Sequence, residues 1–439
     1  MVNETIAAIA SANAMGAVSV IRISGDEAVR IASQLIGKDL SKEKGYTIHY
    51  GVAKENGEAV DEVLVSLFKA PRSYTGEDVI EIGCHGGLFI TRKILSLVLG
   101  LGARMARRGE FTERAFLNGK MDLSQAEGVN DLIQARDAVN AKSAVHSLRG
   151  SVSRLMAPLE EELSQIIANI EVNIDYPEYD DVHQLTEEEI LPAVRKWICD
   201  LDMIIRKAQQ AIVIKEGIDT VILGRPNVGK SSLLNALLEE DKAIVTDVAG
   251  TTRDLVEGTV RIRNMTLNLI DTAGIHEAGD KVEKIGIEKS LQALEKAQLV
   301  IVVLDASEFT KEDEELLELT KDRKRIVVYN KTDLQKVDGL GISAMNKEVD
   351  ALIDEIEALY EKELLAAEED TLNNERQIGL AMQARGYMQD ALRSLEDGAE
   401  LDLVTIDLEN SWRSLREITG KAGREDLLDE VFSRFCLGK

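Results

Sequence analysis

The sequence predicts a multidomain chain of mixed α+β and α/β class, and three observations support this prediction. A length of 439 residues favours about three domains. Between residues 217 and 365, short apolar runs that resemble buried strands are followed by motifs typical of nucleotide-binding loops. On both sides of that region, apolar residues are spaced three and four apart, as in amphipathic helices.

The first domain is predicted to be a mixed α/β unit over residues 1–118. Polar and apolar residues alternate in its strand-like runs, which is the pattern of half-buried strands. The predicted strands are Ala17–Ile23, Thr47–Ala53, Glu62–Phe68 and Val79–Cys84, and the predicted helices are Asp26–Ile36 and Leu88–Leu99.

A helical domain is predicted from residues 119–216 together with 366–439, with a nucleotide-binding domain (217–365) inserted between the two parts. The acidic stretch Asp175–Asp181 should interrupt the helices. Thr186 and Glu189 have the spacing of a capping box that starts the next helix. Pro192, inside that helix, should kink it or shift its start.

A phosphate-binding loop is predicted at Gly224–Ser231, with the sequence Gly-Arg-Pro-Asn-Val-Gly-Lys-Ser. The loop follows a strand-like run at Val221–Leu223 and precedes a helix-like run at 232–238, which is the context that this motif requires. Backbone N–H groups and the helix N-terminus favour bound phosphates. Lys230 is placed to reach the β- and γ-phosphates, and the Ser231 hydroxyl is a candidate Mg²⁺ ligand.

Three further motifs follow in the order expected of a guanine-nucleotide switch. Gly250–Asp254 and Asp271–Gly274 can close over the metal and the γ-phosphate, and their release after hydrolysis would be the switch. Asn330–Asp333 follows a strand, and its Asp333 carboxylate can accept two hydrogen bonds from guanine, whereas adenine lacks that donor pair. We therefore expect GTP, with a second base contact from Ser343 and Ala344.

The residue that would orient the attacking water is not settled by the motifs. Many small GTPases have Gln directly after Asp-Thr-Ala-Gly, but this chain has Ile275, which cannot hydrogen-bond to water. The acidic candidates downstream are Glu277, Asp280 and Glu283. Arg253 or His276 could instead act on charge at the phosphates.

The net charge of −26 has the wrong sign for a protein that binds RNA across a broad surface. RNA contact should therefore be local or supplied by a partner. The one basic cluster is a candidate phosphate-binding patch, but it can equally stabilise the fold or bind an anionic cofactor. It comprises Arg104, Arg107, Arg108, Arg114 and Lys120.

Cys84 and Cys199 are consistent with a protein of the reducing cytosol, where cysteines stay unpaired. With neither signal peptide nor transmembrane run, we expect a cytoplasmic protein without membrane attachment.

Beyond these motifs, the chain resembles the MnmE (TrmE) family of tRNA-modification GTPases along nearly its whole length. The resemblance includes Val20–Gly25, Tyr74–Glu81 with His85–Gly87, Arg108–Lys120 and the terminal Phe435–Lys439, which matches a Cys-x-Gly-Lys ending. It implies Mg²⁺ ligands at Ser231 and Thr252, K⁺ ligands at Asn227, Thr246, Val248 and Thr251, and a water-orienting acid at Glu283. The implied nucleotide-binding residues are Asn227, Val228, Gly229, Lys230, Ser231, Ser232, Thr246, Asp247, Val248, Ala249, Gly250, Thr251, Thr252, Asp271, Thr272, Ala273, Gly274, Asn330, Lys331, Thr332, Asp333, Ser343 and Ala344.

The resemblance also implies ligands and partners outside the nucleotide-binding domain. The first domain would bind 5-formyl-tetrahydrofolate through Arg22, Glu81, Lys120 and Lys439 and would form a homodimer. Cys436 would lie near the modification site. With an MnmG-like flavoprotein, in a heterotetramer, the protein would add an aminomethyl-type group at C5 of the wobble uridine (U34) of certain tRNAs.

A regulatory GTPase of ribosome assembly, like the Era or Der families, is the alternative. Those families share the nucleotide motifs and the missing Gln, but they usually carry a basic RNA-binding appendage, such as a KH domain with a Gly-x-x-Gly loop. This sequence has no such loop in a basic context. The terminal Cys-x-Gly-Lys also favours the tRNA-modification family.

Overall fold

The computed structural model describes residues 4–135, 137–175, 187–240, 256–263, 265–270, 294–368, 370–422, 431–433, 435 and 438. The chain divides into two compact units. Unit 1 comprises Met1–Gln134, Ala144–Ile198 and Gly379–Lys439, and unit 2 comprises Ala135–Ser143 and Cys199–Ile378. The division into three domains, with the boundaries given above, stays a prediction.

Unit 1 begins with a six-stranded sheet in the order β3-β4-β5-β2-β1-β6. Its strands are β1 (Ile6–Ile9), β2 (Val18–Ser24), β3 (Thr47–Glu55), β4 (Glu58–Phe68), β5 (Val79–His85) and β6 (Arg104–Met105). The four strands that the alternation predicted are all present. The pattern missed β1 and β6, which are only four and two residues long.

Two helices, α1 (Ala28–Ile36) and α2 (Leu88–Gly100), cover one face of this sheet. Their buried side chains join those of the strands in one apolar core that includes Ile31, Leu35 and Ile94. A Cβ at Gly51 of β3 would lie 2.8 Å from the Cβ of Ile36, so glycine permits the close approach of α1. The opposite face of the sheet remains partly exposed.

The rest of unit 1 is helical, and some of its helices continue into unit 2. The helices are α3 (Glu110–Leu117), α4 (Leu123–Gln134), α5 (Ala138–Leu148), α6 (Ser151–Asp175) and α7 (Glu187–Glu216), with α12 (Glu375–Glu396) and α13 (Leu401–Ile418) near the C-terminus. The α6 helix is described as far as Asp175, where the described residues stop, so the acidic break predicted over Asp175–Asp181 stays a prediction. Pro192 does not delay α7, which begins five residues before it and continues past it, so the predicted shift is wrong. Thr186 lies outside the described residues.

The C-terminal segment packs against α3 and α4 within unit 1. Phe432 and Phe435 are buried with Leu123 in an apolar cluster. Gly109, with φ +68°, leaves the necessary room, because a Cβ there would lie 2.6 Å from the carbonyl oxygen of Phe432. A side chain at Gly109 would therefore displace this segment.

Most of the predicted basic cluster is neutralised within unit 1. The Glu110 side chain is 3% exposed and accepts hydrogen bonds from Arg104 Nη2 at 2.6 Å and from Arg114 Nη2 at 3.2 Å. Arg107 pairs with Glu113. Burial alone would raise the pKa of Glu110, but the hydrogen bonds from Arg104 and the Arg107 backbone lower it to about 2. These arginines therefore stabilise the fold, which weakens the prediction of a phosphate patch.

Unit 2 contains a five-stranded sheet in the order β11-β10-β7-β9-β8. All neighbouring pairs are parallel except β8 with β9. Its elements are β7 (Ile218–Leu223), α8 (Lys230–Glu240), β8 (Val256–Ile262), β9 (Met265–Ile270), β10 (Leu299–Asp305), α9 (Lys311–Leu319), β11 (Arg325–Asn330), α10 (Asp350–Leu359) and α11 (Glu361–Glu368). Every residue of β10 is buried, as expected for a central parallel strand. The carboxyl ends of β7, β10 and β11 meet at one edge, where α/β sheets bind ligands.

Candidate nucleotide-binding site

The predicted phosphate loop connects β7 to α8 in unit 2. Asn227 (φ +63°) and Gly229 (φ +98°) adopt left-handed backbone conformations, and Leu233 N–H donates to the Gly229 carbonyl at 2.9 Å, which starts the helix. Lys230 Nζ donates to the carbonyl oxygens of Gly224 at 2.7 Å and Arg225 at 3.0 Å. Burial lowers the pKa of Lys230. The loop thus holds a desolvated cation beside a helix N-terminus, a combination suited to phosphate.

Asn330 at the end of β11 joins three of the predicted segments. Its residue exposure is 3%, its Nδ2 donates to the Val228 carbonyl at 2.8 Å, and its Oδ1 accepts from the Ala344 backbone N–H at 3.0 Å. A Cβ at Gly229 would lie 2.2 Å from Asn330 Nδ2. One buried amide therefore fixes the phosphate loop, the base-binding motif and the Ser343–Ala344 segment relative to each other.

The base-binding turn after Asn330 is also held by side chains. Ser343 Oγ donates to Asp333 Oδ1 at 2.7 Å, which orients a carboxylate on an exposed residue. Lys331 adopts a left-handed backbone (φ +70°), and its Nζ donates to Asp305 Oδ2 at 2.5 Å. The arrangement presents Asp333 as an acceptor for a pair of N–H donors.

Several predicted site residues lie outside the described residues, and their assignments stay predictions. They are Thr246, Asp247, Val248, Ala249, Gly250, Thr251, Thr252, Asp271, Thr272, Ala273, Gly274 and Glu283, with Cys436 and Lys439 at the C-terminus. Of the described site residues, Ser231 and Ser232 form the exposed first turn of α8, next to Lys230. Thr332 lies between Lys331 and Asp333 in the base-binding turn.

The motifs did not identify two groups that support the site. Asp305, at the end of β10, holds Lys331. Arg225, the second residue of the phosphate loop, donates from Nη1 to a Glu308 carboxylate oxygen at 2.9 Å and from Nη2 to the Glu308 carbonyl at 2.7 Å. The only sequence signal for Asp305 was an acidic residue at the end of an apolar strand.

A second candidate site lies on the sheet of unit 1. Arg22 on β2 donates from Nε (2.9 Å) and Nη2 (2.8 Å) to one oxygen of Glu81, its cross-strand neighbour on β5. Its guanidinium also lies 5.4 Å from the ring centre of Tyr74, and its Nη1 donates to the Gly438 carbonyl at 3.2 Å. Arg22 and Glu81 are therefore bonded to each other, and their assignment to folate stays a prediction. Lys120 donates to the carbonyl of Pro71, in the loop that carries Tyr74.

The described parts of the chain give limited further evidence on metals and membranes. In these ranges, no cluster of three or more His, Cys, Asp or Glu side chains is arranged to hold a metal ion. The helices within them also lack the combination of length and apolar character that a membrane span needs.

Comparison with known proteins identifies two family models along the chain. The model for the GTP-binding protein TrmE N-terminus matches residues 5–120, and the model for the MnmE helical domain matches residues 123–436. The tRNA modification GTPase MnmE of Pediococcus pentosaceus is 46% identical over 461 aligned residues, which cover 99% of this chain and 98% of that protein. The MnmE of Ligilactobacillus salivarius is 47% identical with the same coverage. Among solved structures, Era from Aquifex aeolicus is 26% identical, covers 39% of this chain and 66% of its own, and has a TM-score of 0.25.

We refer to the two hydrogen bonds of the Asn330 side chain, to Val228 and to Ala344, as the Asn330 bridge. Replacing Gly229 with Ala tests whether nucleotide binding depends on this bridge. The added Cβ is incompatible with the position of Asn330 Nδ2, and φ +98° strains any L-residue. We expect affinity for fluorescent N-methylanthraniloyl GDP to fall by at least about tenfold, equivalent to about 1.4 kcal/mol, in an equilibrium titration.

Gly258→Ala on β8 is the matched control in unit 2, because a Cβ there has no heavy atom within 4 Å. Equal affinity of Gly229→Ala and wild type would show that the Asn330 bridge does not control nucleotide binding.

Proposed function

Because this chain belongs to the MnmE family of tRNA modification GTPases, we propose that it is a potassium-dependent GTP hydrolase that modifies the wobble uridine (U34) of certain tRNAs. Together with an MnmG-like flavoprotein it adds a carboxymethylaminomethyl or aminomethyl group at C5. The identity along 99% of the chain supports the GTPase and tRNA-modification class. The observation that carries the GTPase assignment within the structure is the Asn330 bridge between the phosphate loop and the base-binding turn.

The described residues suit GTP at both ends of the site. At one end, burial removes water from the Lys230 ammonium, and phosphate oxygens would provide the negative charge that stabilises it. The first N–H groups of α8 add hydrogen bonds. At the other end, Asp333 accepts from guanine N1–H and the exocyclic amine. The geometry thus favours guanine over adenine, which offers no matching pair of donors.

Two cations are part of the proposal. Ser231, exposed on the first turn of α8, provides a hydroxyl for Mg²⁺ together with Thr252. Asn227, exposed and left-handed in the phosphate loop, provides an amide oxygen for K⁺ together with Thr246, Val248 and Thr251. When bound, these cations neutralise charge that develops between the β- and γ-phosphates. Glu283 would orient the attacking water in place of the missing Gln.

GTP turnover in matched KCl and NaCl solutions tests this proposal. We expect the wild-type chain to hydrolyse GTP much faster in K⁺ than in Na⁺. The reason is that the proposed Asn227 site would hold K⁺, the larger ion, whose positive charge then assists the reaction. Glu283→Ala should retain GTP affinity and lose hydrolysis in K⁺, since only water activation is removed.

Glu277→Ala and Asp280→Ala are the controls, because each removes a nearby acid without the proposed role. Equal rates in the two salts would contradict the K⁺ assignment. Unchanged turnover by Glu283→Ala would assign the water-orienting role to another residue.

The sheet of unit 1 is the proposed site for 5-formyl-tetrahydrofolate. Lys120 provides a cation for the folate carboxylates, while Glu81, whose side chain is 30% exposed, can accept from the pterin N–H donors, with Arg22 bound to the same carboxylate. Lys439 belongs to the same assignment by family resemblance, as does a role for Cys436 near the modification site. The aromatic ring of Tyr74, near the Arg22 guanidinium, suits a flat heterocycle.

Titration of the full-length chain with 5-formyl-tetrahydrofolate tests the folate site. We expect Glu81→Ala to weaken binding by at least about tenfold, because the pterin loses a charged acceptor. Glu55→Ala at the end of the edge strand β3, which breaks an ion pair with Lys93 of α2, is the control. Equal binding by wild type and Glu81→Ala would move the ligand away from this sheet.

The same sheet supports the proposed homodimer. Ile48 and Tyr50 on β3, and Leu64 opposite Tyr50 on β4, are between 53% and 68% exposed. Such an apolar face on an edge strand is typical of an interaction surface. A monomeric mass of the chain in solution would contradict the dimer.

A further inference from the structure

Asp305 is a firmly held carboxylate near the nucleotide site, although none of the nucleotide-binding motifs contains it. Its side chain is 9% exposed. Oδ2 accepts from Lys331 Nζ at 2.5 Å, while Oδ1 accepts from the Ser307 backbone N–H at 2.9 Å and from Ser307 Oγ at 2.6 Å. Both oxygens are therefore held, and one of them holds the base-binding motif.

Lys331 determines the shape of the turn that presents Asp333. Its left-handed backbone (φ +70°) is unfavourable for a residue with a Cβ and requires support from its surroundings. Its carbonyl accepts from the Leu334 N–H at 2.9 Å, which closes the turn around Asp333. The bond from the Lys331 ammonium to Asp305 supports this conformation from the side-chain end.

The loop that follows β10, residues 306–310, is bonded to both ends of the site, and we refer to it as the β10–α9 loop. Ala306 N–H donates to the Asn330 carbonyl at 2.9 Å. On the phosphate side, Arg225 binds Glu308 by two hydrogen bonds, and its Nε lies 3.3 Å from Oδ2 of the fully buried Asp313. Asp305 therefore ends the strand that leads into this loop, which the phosphate loop and the base-binding motif both restrain.

An ordinary surface ion pair would contribute little, but the pair of Asp305 and Lys331 differs from that case. The carboxylate is buried, and it accepts two further hydrogen bonds. Burial alone would raise the pKa of Asp305, yet the bonds from Lys331 and Ser307 lower it to about 2. The carboxylate is therefore ionised at every pH at which the protein would be assayed.

We propose that Asp305 is a positioning residue for guanine recognition, which acts through Lys331 to hold the turn that presents Asp333 to the base. This inference rests on the proposed GTPase function. It also gives the β10–α9 loop the role of connecting the base-binding turn to the phosphate loop.

The release of N-methylanthraniloyl GDP from Asp305→Asn, followed by stopped-flow fluorescence, tests the proposal. The amide keeps the size of the side chain but removes the charge that holds the ammonium. We expect release to become about tenfold faster, as for the loss of one charge-assisted hydrogen bond. In steady-state GTP hydrolysis, KM should rise while kcat changes little, because Asp305 supports binding of the base.

Asp354→Asn is the matched control. It makes the same chemical change in unit 2 and breaks an exposed ion pair with Arg263. We expect its release rate to equal that of wild type.

Combining Asp305→Asn with Lys331→Met shows whether Asp305 acts through Lys331. The double variant should release GDP no faster than Lys331→Met alone, because the second change removes a bond that is already lost. Additive effects, or wild-type release by Asp305→Asn, would overturn the positioning role and leave the GTPase function intact. Equal affinity of the wild-type chain for adenine and guanine nucleotides would instead overturn the proposed function.

Discussion

The buried side-chain amide of Asn330 is the interaction on which the nucleotide-binding site depends. Its Nδ2 donates to the Val228 carbonyl, and its Oδ1 accepts from the Ala344 N–H. One side chain therefore fixes three separate segments of the chain. Removing it would leave both partners buried without a hydrogen bond, which costs more than the bonds themselves contribute. The parallel sheet brings the segments close, and Asn330 sets their final positions.

Charge is used locally in this protein rather than across its surface. Although the net charge is −26, the cations at the two candidate sites are individually placed beside carboxylates or carbonyl oxygens. Lys331 is held by Asp305, Arg225 by Glu308, and Arg22 by Glu81. The arginines of α3 and the preceding strand are paired with Glu110 and its neighbours. A tRNA substrate would therefore be bound at small sites or mainly by a partner protein.

The sequence predicted the parts of the site that follow from local motifs. The phosphate loop, Asn330 and Asp333 each have a fixed spacing from a strand, so their positions could be read from the chain. Asp305 and the bond from Arg225 to Glu308 could not, because they depend on which strands are neighbours in the sheet. The same limit applies to the short strands β1 and β6, and to the packing of Phe432 against Gly109, which joins residues more than 300 positions apart.

Mass analysis of wobble uridines is the most direct measurement of whether nucleotide recognition by this chain serves tRNA modification. The tRNA would come from a host strain that lacks the chain and is supplied with either the wild-type gene or the Asp333→Asn gene. We expect the aminomethyl-type uridine to be lost in the deletion strain and restored by the wild-type gene alone. Unchanged uridines in the deletion strain, or equal restoration by both genes, would contradict the account.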